Sequence, residues 1–381
     1  MIRRRKTRAI RVGPVTVGGG APVSVQSMTK TPTTDVEATA AQIDSLARAG
    51  CDIVRVAVPS PEAAGALAEI VRRSPLPIVA DVHFDHRLAL AAVEAGAAGL
   101  RINPGNIGSR EKVAAVAAAA RERGVPIRVG VNAGSLEKPL RRRVEGGELS
   151  LSEAMVESAL RHIRLVEDLD FREIKVSLKA SDVVTTVEAY RLLAKRCDCP
   201  FHVGVTEAGT IRAGTIRSAA GIGILLMDGL CDTIRVSLTG PPEEEVRVAR
   251  RLLQAMGERR NEPILISCPT CGRTSIDVVG LAEQVEAILE RIHEPICVAV
   301  MGCEVNGPGE AREADLGIAG SGGGAPRGGR TRRRDARGPC GGRGVIFRKG
   351  EIVRRCAERE ILKVFREELD SLLAQRGKTQ D

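Results

Sequence analysis

Cys268 and Cys271 stand two residues apart in the stretch Cys268-Pro-Thr-Cys271, and Cys303 opens a second stretch that runs on through Asn306-Gly-Pro-Gly-Glu310. Two thiols at that spacing can grip one centre from a single turn. A third thiol, followed by a Gly-Pro-Gly turn, can close on the same centre from another loop. A structural zinc site would ordinarily add a fourth Cys or His at tight spacing, such as a second CxxC, and none follows. The spacing therefore specifies a metal or a cluster and leaves zinc and iron–sulfur both open.

A second set of chemically able groups lies upstream, on short apolar runs: Gln26 and Ser27, Arg55, Asp81 and His83, Arg101 and Asn103, Arg128 and Asn132, Lys175 and Lys179, His202 and Glu207, Arg235 and Ser237. Residues two apart share one face of a strand. A charge inside a run this apolar is costly unless it faces a polar mouth. Arg55, Arg101, Arg128, Lys179 and Arg235 come from five different runs, and five cations at one mouth call for a multiply charged anion such as a diphosphate or bisphosphate. Any one of them alone would read equally well as a cation paired at the rim. Among so many cations Glu207 is the candidate for proton transfer, with His83 and His202 as further titratable groups.

The elements that must position these groups follow a repeating rhythm of apolar strand and Ala/Leu-rich helix. After a hairpin pattern over 9–17, strands are expected at 23–29, 52–58, 78–84, 99–105, 127–133, 174–179, 201–207 and 233–239, with helices following, for example over 35–49, 61–73, 87–95, 110–123, 152–169 and 242–256. Eight such units in about 250 residues match a TIM (β/α)8 barrel, whose active sites lie at the C-terminal ends of the strands. Past residue 261 the rhythm changes. A strand leads into the CPTC turn, a helix is expected over 276–292, strands at 296–301, 315–319 and 344–348, and an amphipathic helix from about 357 to 373. This predicts a barrel over 1–260 that binds the anion and a smaller α+β domain over 261–381 that holds the metal centre, with an Arg/Gly-rich insertion at about 321–343.

The chain of 381 residues has room for two cores, and with no Trp, one Tyr and five Phe those cores must be built from Ala, Val, Leu and Ile, as suits a parallel α/β architecture. No run reaches the length of a membrane span and no apolar stretch follows the basic start, which predicts a soluble cytoplasmic protein without membrane partners. Ten cysteines in such a chain argue for ligands or buried thiols over disulfides, and Cys51, Cys231 and Cys297 read as core residues. The net charge of +9 is mostly local: residues 321–343 carry seven arginines against Asp335. A solvated loop is the plain reading of that excess. Nucleic-acid binding ranks last, since there are so few aromatics to stack on bases.

Nine segments occur in order between about Arg4 and Leu373: VQSMTKTPT (25–33), ADVHFD (80–85), LRINPGNIG (100–108), RVGVNAGSL (128–136), KVSLKASD (175–182), HVGVTEAG (202–209), IRVSLTG (234–240), ISCPTCGR (266–273) and NGPGEA (306–311). Together they resemble the 4-hydroxy-3-methylbut-2-enyl diphosphate synthases of the methylerythritol phosphate isoprenoid pathway, in their bacterial two-domain form. The resemblance implies a barrel like that of the pteroate synthases, followed by a cluster domain similar to the ferredoxin-dependent sulfite/nitrite reductase domain. It implies a [4Fe-4S] cluster held by Cys268, Cys271, Cys303 and Glu310. It also implies binding of 2-C-methyl-D-erythritol 2,4-cyclodiphosphate by Arg55, Arg101, Arg128, Asn132, Lys179, Arg235 and Ser237, with Glu207 as the acid; His83, Asn103 and His202 join the expected substrate-binding set.

The implied reaction is a two-electron reductive ring opening and dehydroxylation, with electrons from ferredoxin or flavodoxin, in a homodimer whose cluster domain closes the partner subunit's barrel. A carboxylate ligand suits it, because Glu310 would hold iron less firmly than a thiolate and leave a position for a substrate oxygen. The competing expectation is a zinc-stabilised barrel enzyme acting on a phosphorylated sugar or pterin without redox chemistry. Two features depart from the family pattern. Glu304 sets a second carboxylate beside Cys303, and the Arg/Gly stretch, with Cys340 expected to be exposed and not a ligand, replaces a short glycine turn.

Overall fold

Alternation decides the barrel. Ile174, Val176 and Leu178 pack into the apolar layer under the helices, which turns Lys175, Ser177 and Lys179 of the same strand inward. The structure, a computed structural model, describes residues 2–259, 262–292, 294–321 and 343–377. It divides into two compact units, Met1–Glu258 and Arg259–Asp381.

In the first unit the hairpin β1 (Ala9–Val12) and β2 (Val15–Gly18) precedes eight parallel strands: β3 (Ser24–Met28), β4 (Ile53–Ala57), β5 (Ile78–Asp81), β6 (Gly99–Ile102), β7 (Ile127–Asn132), β8 (Ile174–Lys179), β9 (His202–Val203) and β10 (Thr233–Ile234). Neighbours in sequence are neighbours in the sheet, and β10 pairs with both β9 and β3. The β8–β9 seam carries a single bridge, Val176 to Phe201. The chain's one tyrosine fastens it: the fully buried Tyr190 hydroxyl accepts from the Leu178 amide (3.0 Å) and donates to the His202 carbonyl (2.6 Å). The hairpin closes the N-terminal end, where Ile10, Val12 and Val17 pack on Ile53 and Val79.

The strands expected over 201–207 and 233–239 are much shorter as ladders, two residues each. The cause is Gly204, where a Cβ would lie 2.4 Å from the Arg235 carbonyl oxygen. The two backbones pass there at a distance only glycine permits, and the ladder gives way to loops that carry Glu207, Arg235 and Ser237.

The second unit is a five-stranded sheet in the order β11 (Ile264–Ser267), β12 (Cys297–Met301), β13 (Leu316–Ser321), β14 (Arg343–Arg348) and β15 (Glu351–Ala357). The first three strands are parallel and the last two antiparallel. Helix Val278–Leu289, capped by Asp277, and helix Ile361–Gly377 pack on it through Val285, Leu289, Ile361 and Phe365. β15 was not expected. Its Arg354 and Arg355 look like the start of a helix, yet it is an exposed edge strand, reached through a turn in which Lys349 and Gly350 have φ of 47° and 82°. The last helix accordingly begins at Ile361 and not at 357. Among the described residues no helix is long and apolar enough to cross a membrane. The Arg/Gly stretch, with Cys340, lies outside the described residues except at its ends.

Candidate functional site

Five cations of the barrel interior, Arg55, Arg101, Arg128, Lys175 and Lys179, are each no more than 7% exposed, and Arg235 joins them from the loop beyond β10. Two carboxylates stand among them. Asp81 accepts from Arg101 Nη1 at 3.0 Å and lies 3.5 Å from Arg55 Nε. Glu245, 2% exposed, reaches back from helix Pro242–Ala255; it accepts from Ser27 Oγ and the Leu238 amide, both at 3.1 Å, pairs with Lys30 Nζ at 3.1 Å and lies 3.8 Å from Arg235 Nη2. Nε and Nη1 of Arg128, Nε of Arg101 and Arg235, Lys175 Nζ, both His202 ring nitrogens and the Gln26 amide find no hydrogen-bond partner among the described residues. Buried donors are ordinarily satisfied, so this concentration of unpaired N–H groups, most of them on arginine and lysine, specifies an anion.

The electrostatics follow from that imbalance. Burial alone would raise the Asp81 carboxyl, but Arg55, His83 and Arg101 outweigh it and hold it well below the usual carboxylate range. Burial pushes Arg55 down to about 9, with Asp81 opposing and Arg235 and Arg101 adding, so it stays charged at neutral pH. Lys179 is driven far down by burial and then by Arg235 and Arg128, and His202 likewise by burial and Arg128. Lys175 is pushed to about 7, by burial first and Arg128 second.

A lysine whose folded pKa lies below its unfolded value of about 10.4 destabilises the fold, fully below pH 7 and not at all above about 10.4. Lys175→Met should therefore stabilise the barrel by on the order of 2–3 kcal/mol at pH 8. Thermal denaturation at pH 8 and pH 10 checks this: the gain in melting temperature should shrink at the higher pH, and an unstabilised variant at pH 8 would contradict it.

The expected site residues distribute unevenly. Arg55, Arg101, Arg128, Lys179 and Arg235 come together inside the barrel, where each senses the charge of the others. Asn132 ends β7 opposite Lys179, and Ser237 lies partly exposed beyond β10. The His83 side chain is 48% exposed at the mouth, beside Arg101 Nη1 and 3.5 Å from Asp81. His202 is fully buried on β9. Asn103 uses its Oδ1 to cap the short helix Pro104–Ile107, accepting from the Gly105 amide at 3.1 Å. Glu207 is exposed in the loop after β9 with φ of 52°, one of four non-glycine residues with positive φ among those described. Glu245 and Lys30 were not anticipated: within Pro242-Glu-Glu-Glu245 the acid looks like an ordinary helix N-terminal carboxylate.

In the second unit Cys268 follows β11 directly and Cys303 lies two residues beyond β12, its parallel neighbour. The Gly302 amide donates to Cys268 Sγ at 3.2 Å, the Arg273 amide to Cys271 Sγ at 3.5 Å, and the Cys303 thiol to Asn306 Oδ1 at 3.6 Å. A Cβ on Gly302 would meet Thr274 Oγ1 at 2.8 Å, so glycine lets the β12 end close on the CPTC turn. Thr270 inside that turn has φ of 64°. All three thiols are free. Soft sulfur donors with amides aimed at two of them fit an iron–sulfur centre, because N–H···S bonds stabilise thiolate ligands.

Glu310 ends the turn Val305–Glu310, and its side chain lies outside the described part of the structure. No three His, Cys, Asp or Glu side chains among the described residues converge on one ion position. Glu304 is already engaged by Ser321 and by Arg355 at 3.0 Å, which hold its carboxyl below the usual range, so its charge is answered from β13 and β15. Cys51 and Cys231 are core residues as expected, whereas Cys297 is only partly buried.

A closed parallel barrel lined with unpaired cations, in one chain with an α+β unit that presents three free thiols from adjacent loops, defines a barrel enzyme for polyanionic substrates with a soft-metal unit. Residues 7–250 match the GcpE TIM-barrel domain and residues 264–371 the GcpE protein C-terminal domain. The chain belongs to the GcpE family. It is 56% identical to the 4-hydroxy-3-methylbut-2-en-1-yl diphosphate synthase (flavodoxin) of Geobacter sulfurreducens, covering 98% of this chain and 99% of that one. It is 53% identical to the enzyme of the same name from Bacillus subtilis, over 97% and 92% of the two chains. A dihydropteroate synthase structure from Xanthomonas albilineans overlaps 66% of this chain and 97% of its own, with a TM-score of 0.45 and 14% identity.

Proposed function

We propose that this chain catalyses the reductive ring opening and dehydroxylation of 2-C-methyl-D-erythritol 2,4-cyclodiphosphate to (E)-4-hydroxy-3-methylbut-2-enyl diphosphate, in isoprenoid precursor biosynthesis. The observation that carries this reading is the set of buried, incompletely paired cations inside the barrel, in a chain more than half identical to synthases of that name. Arg55, Arg101, Arg128, Lys179 and Arg235 bind the two phosphates, Asn132 and Ser237 orient the ring oxygens, and His83, Asn103 and His202 complete the pocket wall. Glu207 delivers the proton to the departing hydroxyl, so that it leaves as water. Cys268, Cys271, Cys303 and Glu310 hold a [4Fe-4S] cluster, which supplies the two electrons one at a time. Flavodoxin, which the relatives' names specify, or ferredoxin is the donor, and the chain works as a homodimer in the cytoplasm.

The zinc alternative draws no support from these relatives. Protein purified without oxygen should be brown, carry about four iron and four sulfide per chain, and convert the cyclodiphosphate when reduced flavodoxin is supplied. Colourless protein with stoichiometric zinc, or iron-loaded protein without turnover, would overturn the assignment.

A further inference from the structure

The barrel's cations lie at two depths. Lys179 ends β8 at the mouth, while Lys175 sits four residues earlier on the same inner face, roughly 13 Å deeper along the strand. Lys175 is 3% exposed and its Nζ has no partner among the described residues. The charged and titratable groups near it are Arg128, its register partner on β7, Arg55 on β4, His202 on β9 and Asp232 just before β10. Three of these four are cationic or neutral. The fourth is already committed, since Asp232 accepts from Arg4 Nη2 at 2.9 Å through one oxygen and from the Phe201 amide at 2.8 Å through the other. Below, the hairpin seals the barrel with Ile10, Val12 and Val17. An ammonium at Lys175 therefore has no hydrogen-bonded counter-charge, only the already paired Asp232 nearby, and a further one can reach it only from the mouth.

We propose that Lys175 is a proton store beneath the substrate site: uncharged while the mouth holds no anion, it takes a proton from solvent when a diphosphate settles on the cations above it. Lys175 is a positioning residue, which touches neither the phosphates nor the reacting carbons. Its charge adds to the field that holds the anion and, through Arg128 in the register beside it, keeps the guanidinium turned toward the mouth. The arginines cannot play this part, because guanidinium groups stay protonated. Burial and Arg128 set the Lys175 ammonium near neutrality; burial also drives Lys179 and His202 well down, but Lys179 ends its strand at the mouth among the phosphate-binding cations, and Lys175 alone of the two lysines lies beneath them. The proposal rests on the cyclodiphosphate reading of the same site.

The test is calorimetric titration of the anaerobic, cluster-loaded protein with the cyclodiphosphate, without an electron donor, in buffers of different ionisation enthalpy at pH 8. Both acidic groups of this ligand are fully ionised there, so any proton taken up belongs to the protein. Wild type should take up about one proton more per ligand than Lys175→Met, and its affinity should fall about tenfold per pH unit above pH 7. Lys175→Arg, charged throughout, should lose the same proton and retain at pH 9 the affinity that wild type loses. Binding by wild type without proton uptake, or uptake unchanged in both variants, overturns the proposal. Absence of cyclodiphosphate binding by wild type instead removes the substrate reading beneath it.

Discussion

Cys303→Ser is expected to give a folded, colourless protein with turnover below detection. Serine is nearly the same size as cysteine, but its hydroxyl remains protonated at neutral pH and offers iron a poor, hard ligand where the thiolate is soft. The site is suited to the experiment because Cys303 belongs to neither apolar cluster of the second unit, whereas Cys268 packs against both. Loss at Cys303 can thus be separated from loss of fold: thermal denaturation should match that of wild type stripped of its cluster, while iron, sulfide and visible absorption fall to about a tenth or less. Cys297→Ser is the matched control. It changes a partly buried thiol at the start of β12, the strand that leads to Cys303; its amide is held by Asp315 Oδ2 at 2.8 Å, and the variant should keep its colour. A brown, active Cys303→Ser protein would remove Cys303 from the ligand set.

The barrel was legible in the sequence because short aliphatic runs ending in polar residues recur between helices whose inner faces are almost wholly aliphatic. The cationic mouth was legible for the same reason, since an arginine in an aliphatic run has only one face left to occupy. What escaped depends on contacts distant in sequence. Gly204 ends a ladder because of the carbonyl of Arg235, and nothing near position 204 announces that approach. Glu245 is the counter-charge of Arg235 and Lys30, yet it sits in an acidic first turn where a carboxylate is ordinary. β15 is an edge strand whose charged residues answer to solvent and to Glu304, Glu367 and Glu368, so period-two alternation never develops. The thiols were conspicuous from spacing, but spacing alone left zinc and iron–sulfur open; the amide donors at Cys268 and Cys271 appear only in three dimensions.

Glu207→Gln should lower kcat by between about 10² and 10⁴-fold while leaving KM within about threefold, the signature of a lost proton donor and not of lost binding. The amide keeps the size and the backbone conformation of glutamate, and the barrel's cations are left in place. The backbone provides a second variant. Glu207 has φ of 52° in an exposed loop directly after the shortened β9, a conformation that a side chain adopts only at a cost of about 1 kcal/mol or more. Glycine would adopt that φ without the cost. Glu207→Gly separates carboxyl from conformation: its melting temperature should not fall, because relief of the left-handed strain offsets the added freedom of the unfolded chain, while its turnover should drop as far as that of Glu207→Gln. Near wild-type turnover in either variant would move the proton donor elsewhere, with His83, half exposed at the same mouth beside Asp81 and Arg101, as the next group to replace.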